Sequence, residues 1–149
     1  MLLYRITRCT YAKDLSGTGA RLYGGRWNNI GRAMVYTASS RALATLEALV
    51  HLPTAIIPDD FCITTIDAPE DIFEADMSLF PPNWNVYPEP EILKRTGDFF
   101  LKQNEHLLLK VPSAIVKQEF NYLINPLHAR ISEVKVLETE PFTFDERLL

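Results

Sequence analysis

The sequence predicts an α+β domain built on a mostly antiparallel sheet flanked by a few helices, and three observations carry that expectation. Strand-like runs fall in both halves of the chain with only two convincing helices, so the alternating βαβ rhythm of a doubly wound sheet is absent. Of 149 residues, 47% are hydrophobic and 23% charged, which supplies a sizeable core and excludes a disordered or fibrous chain. The length fits one domain over residues 1–149.

Taken in order, residues 2–7 form an apolar run of β character. Lys13 to Gly31 is polar and holds Gly17, Gly19, Gly24, Gly25 and Gly31, which is every glycine of the chain except Gly97. Ala33 to Ala38 has the composition of a buried strand. Ser39 or Ser40 can then cap a helix over 41–52, which Pro53 ends. In that helix Leu43, Leu46, Leu49 and Val50 are expected to form the apolar stripe, with Glu47 on its flank and within reach of a cleft. Phe61 to Asp67 alternates as a strand should. Residues 81–90 carry Pro81, Pro82, Pro88 and Pro90 and are expected to be an irregular excursion pinned by Trp84 and Tyr87. A helix over 91–104, a buried strand over 107–111 and one or two closing strands over 134–144 complete the pattern.

Lysine and arginine total 15 against 19 aspartates and glutamates, a net charge of −4 that disfavours direct nucleic-acid binding. Cys9 and Cys62 are far apart without C-x-x-C spacing, which predicts two buried free thiols in a reducing compartment. No apolar run approaches the ~20 residues that a bilayer requires, so the expected setting is cytoplasmic, with no membrane partner.

Several chemistries are disfavoured by spacing. Gly17-Thr18-Gly19-Ala20-Arg21-Leu22 begins like a dinucleotide fingerprint but lacks the third glycine, and no helix is expected to follow it. There is no P-loop and no G-x-S-x-G elbow, and His51, His106 and His128 are not spaced as a metal-ligand pair, so no metal is expected. What remains is Gly24-Gly25-Arg26-Trp27-Asn28, then Tyr36, Glu47, Ser113 and Asn121. Paired glycines usually mark a turn, yet they also let backbone approach a ligand, and an arginine beside them offers a fork that suits phosphate. Tyr36 is by default a core aromatic, or else a face for stacking. Glu47 is a surface carboxylate, or else a group that stabilises an oxocarbenium-like centre.

Together these residues resemble the RES domain family, toxins of bacterial toxin–antitoxin pairs, along nearly the whole chain. The matching blocks are Tyr4-Arg5-Ile6, residues 16–28, Val35 to Ser39, Ala44 to His51 and, more weakly, Val111 to Ala114 with Glu119, Asn121, residues 123–126 and His128. The resemblance implies an ADP-ribosyltransferase-like fold with NAD⁺ as substrate in a cleft. The expected activity is cleavage of the nicotinamide–ribose bond by hydrolysis or phosphorolysis, with ADP-ribosylation of a protein as the alternative and a catalytically silent antitoxin-binding module as a third reading. It assigns the catalytic positions to Arg26, Tyr36, Glu47 and Ser113. Binding of NAD⁺ would use Arg5, Arg21, Gly25, Arg26, Trp27, Asn28, Tyr36 and Asn121. The implied partner is an Xre-like helix-turn-helix antitoxin that covers the cleft, with a homodimer within that complex left open.

Overall fold

The computed structural model, which describes residues 1–53 and 55–149, gathers the strand-like runs into one seven-stranded sheet. The strands are β1 (Leu2–Arg8), β2 (Val35–Ala38), β3 (Phe61–Asp67), β4 (Ile72–Glu74), β5 (Leu108–Pro112), β6 (Phe120–Ile124) and β7 (Lys135–Phe142), ordered β4-β5-β6-β2-β1-β3-β7. Only the β4–β5 pair is parallel, so the expected α+β class with a mostly antiparallel sheet holds. The helices are α1 (Thr18–Tyr23), α2 (Arg41–Leu49) and α3 (Glu91–Gln103). Among the described residues, no helix is long and apolar enough to cross a membrane.

The period-two pattern of the strands divides the core between the two faces of the sheet. Leu108, Tyr122 and Ile124 join Leu3, Val35 and Ile66 on one face. Leu109, Val111 and Leu123 point the other way and meet Trp27 and Met34, with Leu93 and Phe100 of α3 packed on them.

Three parts of the sequence reading are corrected. A helix does follow Gly17: α1 runs for six residues, and the glycine in its interior, Gly19, hides it from propensity. In α2 the buried residues are Leu43 and Ala44, whereas Val50 lies beyond the helix and is 58% exposed. The expected leucine stripe overlooked the alanines, which allow the helix to lie close to β1 and β2. Ser40 is the cap, its hydroxyl accepting from the Leu43 N–H at 3.1 Å. Third, Cys9 and Cys62 are joined in a disulfide, and Cys9 is exposed rather than buried. Antiparallel pairing of Arg8 with Phe61 brings the two cysteines to 4.9 Å between Cα atoms, an adjacency that their separation of 53 residues conceals.

Strands β1 and β2 pair only at Tyr4 and Ala38, and beyond that point they splay apart. Consecutive residues of both strands, Tyr4 to Arg8 and Val35 to Ala38, consequently line one cleft. In a continuous sheet alternate residues would face opposite sides; lateral opening is what exposes successive ones together.

Candidate active site

The cleft encloses about 1170 Å³, somewhat more than the ~300–1,000 Å³ usual for drug-sized ligands, so it has room for a dinucleotide. Its walls are the splayed strands, the glycine-rich segment 17–27, and the face of α2 carrying Ala44, Glu47 and Ala48, with His51 just beyond. These α2 positions recur at helical spacing. Glu47 therefore reaches the cleft, on the surface of α2 that faces it.

Glu47 is held from two strands. Its Oε1 accepts from Ser113 Oγ at 2.7 Å, at the end of β5, and from Asn121 Nδ2 at 2.8 Å, on β6. Ser113 has no solvent exposure, and its hydroxyl oxygen also accepts from the Ile115 and Val116 N–H groups at 3.1 and 3.0 Å. Its backbone and side-chain bonds thus hold a tight turn against α2, and it reaches the cleft only through Glu47. Both donated bonds fall on one carboxylate oxygen, leaving Oε2 outside this pair of contacts. Asn121 Oδ1 is buried and without a hydrogen-bond partner among the described residues.

Tyr36 is organised by the glycine-rich segment. Its hydroxyl donates to Asn28 Oδ1 at 2.6 Å and accepts from the Trp27 N–H at 3.1 Å. Gly25 is obligatory at this contact, because a Cβ there would lie 2.5 Å from the Tyr36 hydroxyl. Burial pushes the Tyr36 hydroxyl well above the usual tyrosine range; the Trp27 N–H opposes this, and the Glu89 and Asp98 charges reinforce it. Asn28, fully buried, donates to the carbonyls of Ala20, Asn29 and Arg32, so it holds α1 and the segment together from behind the cleft.

Arg26 lines the cleft with its Nη1 donating to the Trp84 and Val86 carbonyls at 3.3 and 3.1 Å. The proline-rich excursion thereby anchors the guanidinium. Trp84 is half-buried against the core, as expected of a pin, whereas Tyr87 is 85% exposed at the cleft mouth. Arg5 also lines the cleft and donates to the Asp14 and Tyr11 carbonyls at 2.7 and 2.8 Å.

Arg26, Tyr36, Glu47, Asn121, Arg5, Gly25 and Trp27 thus all line one cleft. Asn28 and Ser113 stand behind it as supports, and Arg21 is an exposed residue outside the cleft lining. Sequence reasoning did not single out Glu89, Lys94 or His51 as cleft residues. Glu89 and Lys94 are neighbours at the start of α3 but lie far in sequence from Arg26, Tyr36 and Glu47, and only their charge could have drawn attention to them.

Fold and site together define an α+β domain whose cleft opens between two splayed strands and presents an anchored arginine, a half-buried tyrosine and a braced glutamate. The chain belongs to the RES domain family, whose model matches residues 2–145. It is 41% identical to a protein of Photorhabdus laumondii called Toxin Res, across all of this chain and 97% of that protein. A Toxin Res of Pseudomonas putida is 42% identical over 99% of each chain. A protein of Sphingobium named as a Prs ADP-ribosylating toxin is 37% identical, over 93% of this chain and 88% of its own. In fold, the chain is similar to one in the crystal structure of the M. tuberculosis MbcT-MbcA toxin–antitoxin complex, with a TM-score of 0.74. That match has 19% identity and covers 95% of this chain and 84% of the other.

Proposed function

We propose that this chain is a toxin that cleaves the nicotinamide–ribose bond of NAD⁺ and is neutralised by a cognate antitoxin. The observation that carries the reading is the Ser113–Glu47–Asn121 constellation. Two donors fix one oxygen of a carboxylate that lines the same cleft as Arg26 and Tyr36. As nicotinamide departs, the electron pair of the C1′–N bond goes to the pyridine nitrogen, and positive charge grows on the ribose. A pre-oriented carboxylate stabilises that charge without reorganising. Arg26 holds the diphosphate, and Tyr36 packs against nicotinamide or its ribose. The acceptor oxygen then bonds to C1′ and releases its proton. Water yields hydrolysis, and inorganic phosphate yields phosphorolysis.

The decisive experiment is mass spectrometry of the products after the purified protein is incubated with NAD⁺, with and without phosphate. Release of nicotinamide at a rate that collapses in Glu47→Gln supports the reading; intact NAD⁺ with the folded protein overturns it. The name of the Sphingobium relative favours a second reading, transfer of ADP-ribose to a protein. Labelled ADP-ribose on a host protein without bulk NAD⁺ loss would select it.

The names of the relatives and the source of the structural neighbour support an antitoxin partner for this chain. An Xre-like helix-turn-helix protein that covers the cleft is the partner proposed, and Tyr23 and Tyr87, 82% and 85% exposed at the cleft mouth, offer it apolar contact. Expression of the toxin alone should arrest growth, and co-expression of the neighbouring reading frame should relieve it.

A further inference from the structure

Glu89 and Lys94 form a charge pair inside the cleft, with Lys94 Nζ 3.2 Å from Glu89 Oε1. Their side chains keep only 14% and 25% exposure, so neither is an ordinary solvated surface charge. Helix α3 sets the position of Lys94. Gly97 presses so closely on the segment that carries Arg26 that a Cβ would fall 1.6 Å from the Trp27 carbonyl oxygen. Asp98, one turn beyond Lys94, accepts from Asn29 N and Nδ2 at 3.1 and 2.8 Å. The surface of α3 that bears Lys94 is thus held against the segment that bears Arg26.

Glu89 lies just before the N-cap of α3, at the end of the proline-rich excursion whose Trp84 and Val86 carbonyls anchor Arg26. Burial alone would raise its carboxyl, yet it is held below the usual range. Hydrogen bonds from its own backbone N–H and from Lys94, with the charges of Lys94 and Arg26, outweigh the burial. Glu89 is therefore a carboxylate ion-paired to Lys94 in a cleft that Arg26 also lines, and it stands where a phosphate oxygen would meet Lys94.

We infer that Lys94 joins Arg26 in receiving a diphosphate in this cleft, and that Glu89 is an internal carboxylate that occupies Lys94 until the phosphate arrives. This rests on the NAD⁺ reading for its substrate, and it adds a discrimination. Lys94 exchanges one oxygen partner for another, so its contact is made only with substrates that carry phosphate, and nicotinamide riboside gains nothing from it.

The test is calorimetric titration with inorganic pyrophosphate, with circular dichroism to verify folding of each variant. Lys94→Gln should weaken binding by about tenfold or more, the loss expected for one charge-assisted hydrogen bond. Glu89→Gln should tighten it, because the competing carboxylate has lost its charge. A wild-type protein that does not bind pyrophosphate, or a Lys94→Gln variant that binds as wild type does, overturns the cation pair. Weaker binding by Glu89→Gln overturns the internal stand-in. In turnover assays Lys94→Gln should raise KM for NAD⁺ and leave KM for nicotinamide riboside unchanged, whereas an equal rise for both would mark a structural role. Pyrophosphate binding without any NAD⁺ turnover by wild type would sink the proposed activity and leave the cation pair standing.

Discussion

Ser113, a residue with no solvent exposure, donates its hydroxyl hydrogen to Glu47 Oε1 across 2.7 Å and so joins two positions 66 residues apart. The bond makes the orientation of the cleft carboxylate a property of the sheet instead of the helix alone. Its consequences can be measured separately from those of the carboxylate itself.

Glu47→Gln keeps an oxygen where Ser113 and Asn121 need an acceptor, and it removes only the charge. NAD⁺ turnover should fall by about 10²–10³-fold with little change in Tm. Ser113→Ala should also slow turnover, but it leaves the Ile115 and Val116 N–H groups without their acceptor. It should therefore cost about 1–3 kcal/mol as well, read from chemical denaturation. Equal stability of the two variants would remove Ser113 from its bracing role.

Tyr36 predicts an alkaline limb to the stability curve. Burial raises its ionisation in the folded protein, whereas an unfolded tyrosine ionises near about pH 10. Below that pH both states hold the proton and nothing is lost. As pH rises above it the unfolded chain loses its proton first, so stability declines. Tyr36→Phe should be destabilised by about 1–2 kcal/mol near neutrality, through loss of the Asn28 and Trp27 bonds, but should show a shallower decline above pH 10. Parallel alkaline profiles for the two proteins would contradict this.

Gly97→Ala places a methyl group on the Trp27 carbonyl, a contact no rotamer relieves because it is with backbone. Stability should drop by about 3 kcal/mol or more in urea titration. Because α3 and the Gly25–Asn29 segment must part to admit the methyl, the KM for NAD⁺ should rise too. An unperturbed urea midpoint would mean that α3 packs elsewhere.

Replacing both cysteines with serine should destabilise the chain by about 2–4 kcal/mol, and a reductant should do the same to wild type but not to the double variant. Cys9 heads the segment whose Tyr11 and Asp14 carbonyls hold Arg5. Limited proteolysis should accordingly cut first near residues 9–17 once the bond is open, and an unchanged cleavage pattern would separate the disulfide from this part of the cleft wall.

The strand over 61–67 and the helix over 91–103 are legible because their signals are local: period-two alternation in one, a long amphipathic run in the other. The sequence reading did not anticipate β4 or β6. β4 has three residues, and β6 follows a stretch with no strong pattern, so β4 owes its state to pairing with β5 and β6 to pairing with β5 and β2. Helix α1 was hidden by its glycine, and the cleft face of α2 by alanines that count for little on a hydrophobic stripe.

By itself the sequence determined the class of fold and most of the candidate residues that share the cleft. Residue type and short-range spacing are enough to mark a strand, a cap or a glycine-flanked arginine. Only the tertiary structure decided which of those residues share a cleft. It placed Ser113 behind Glu47 and Arg21 outside the cleft lining, paired Cys9 with Cys62, and set Lys94 and Glu89 in the same cleft as Arg26. The physical reason is that each of these relations crosses between elements, through the register of β1 with β3, the splaying of β1 from β2 and the close approach at Gly97. Such contacts depend on how whole faces pack, which no local run of side chains encodes.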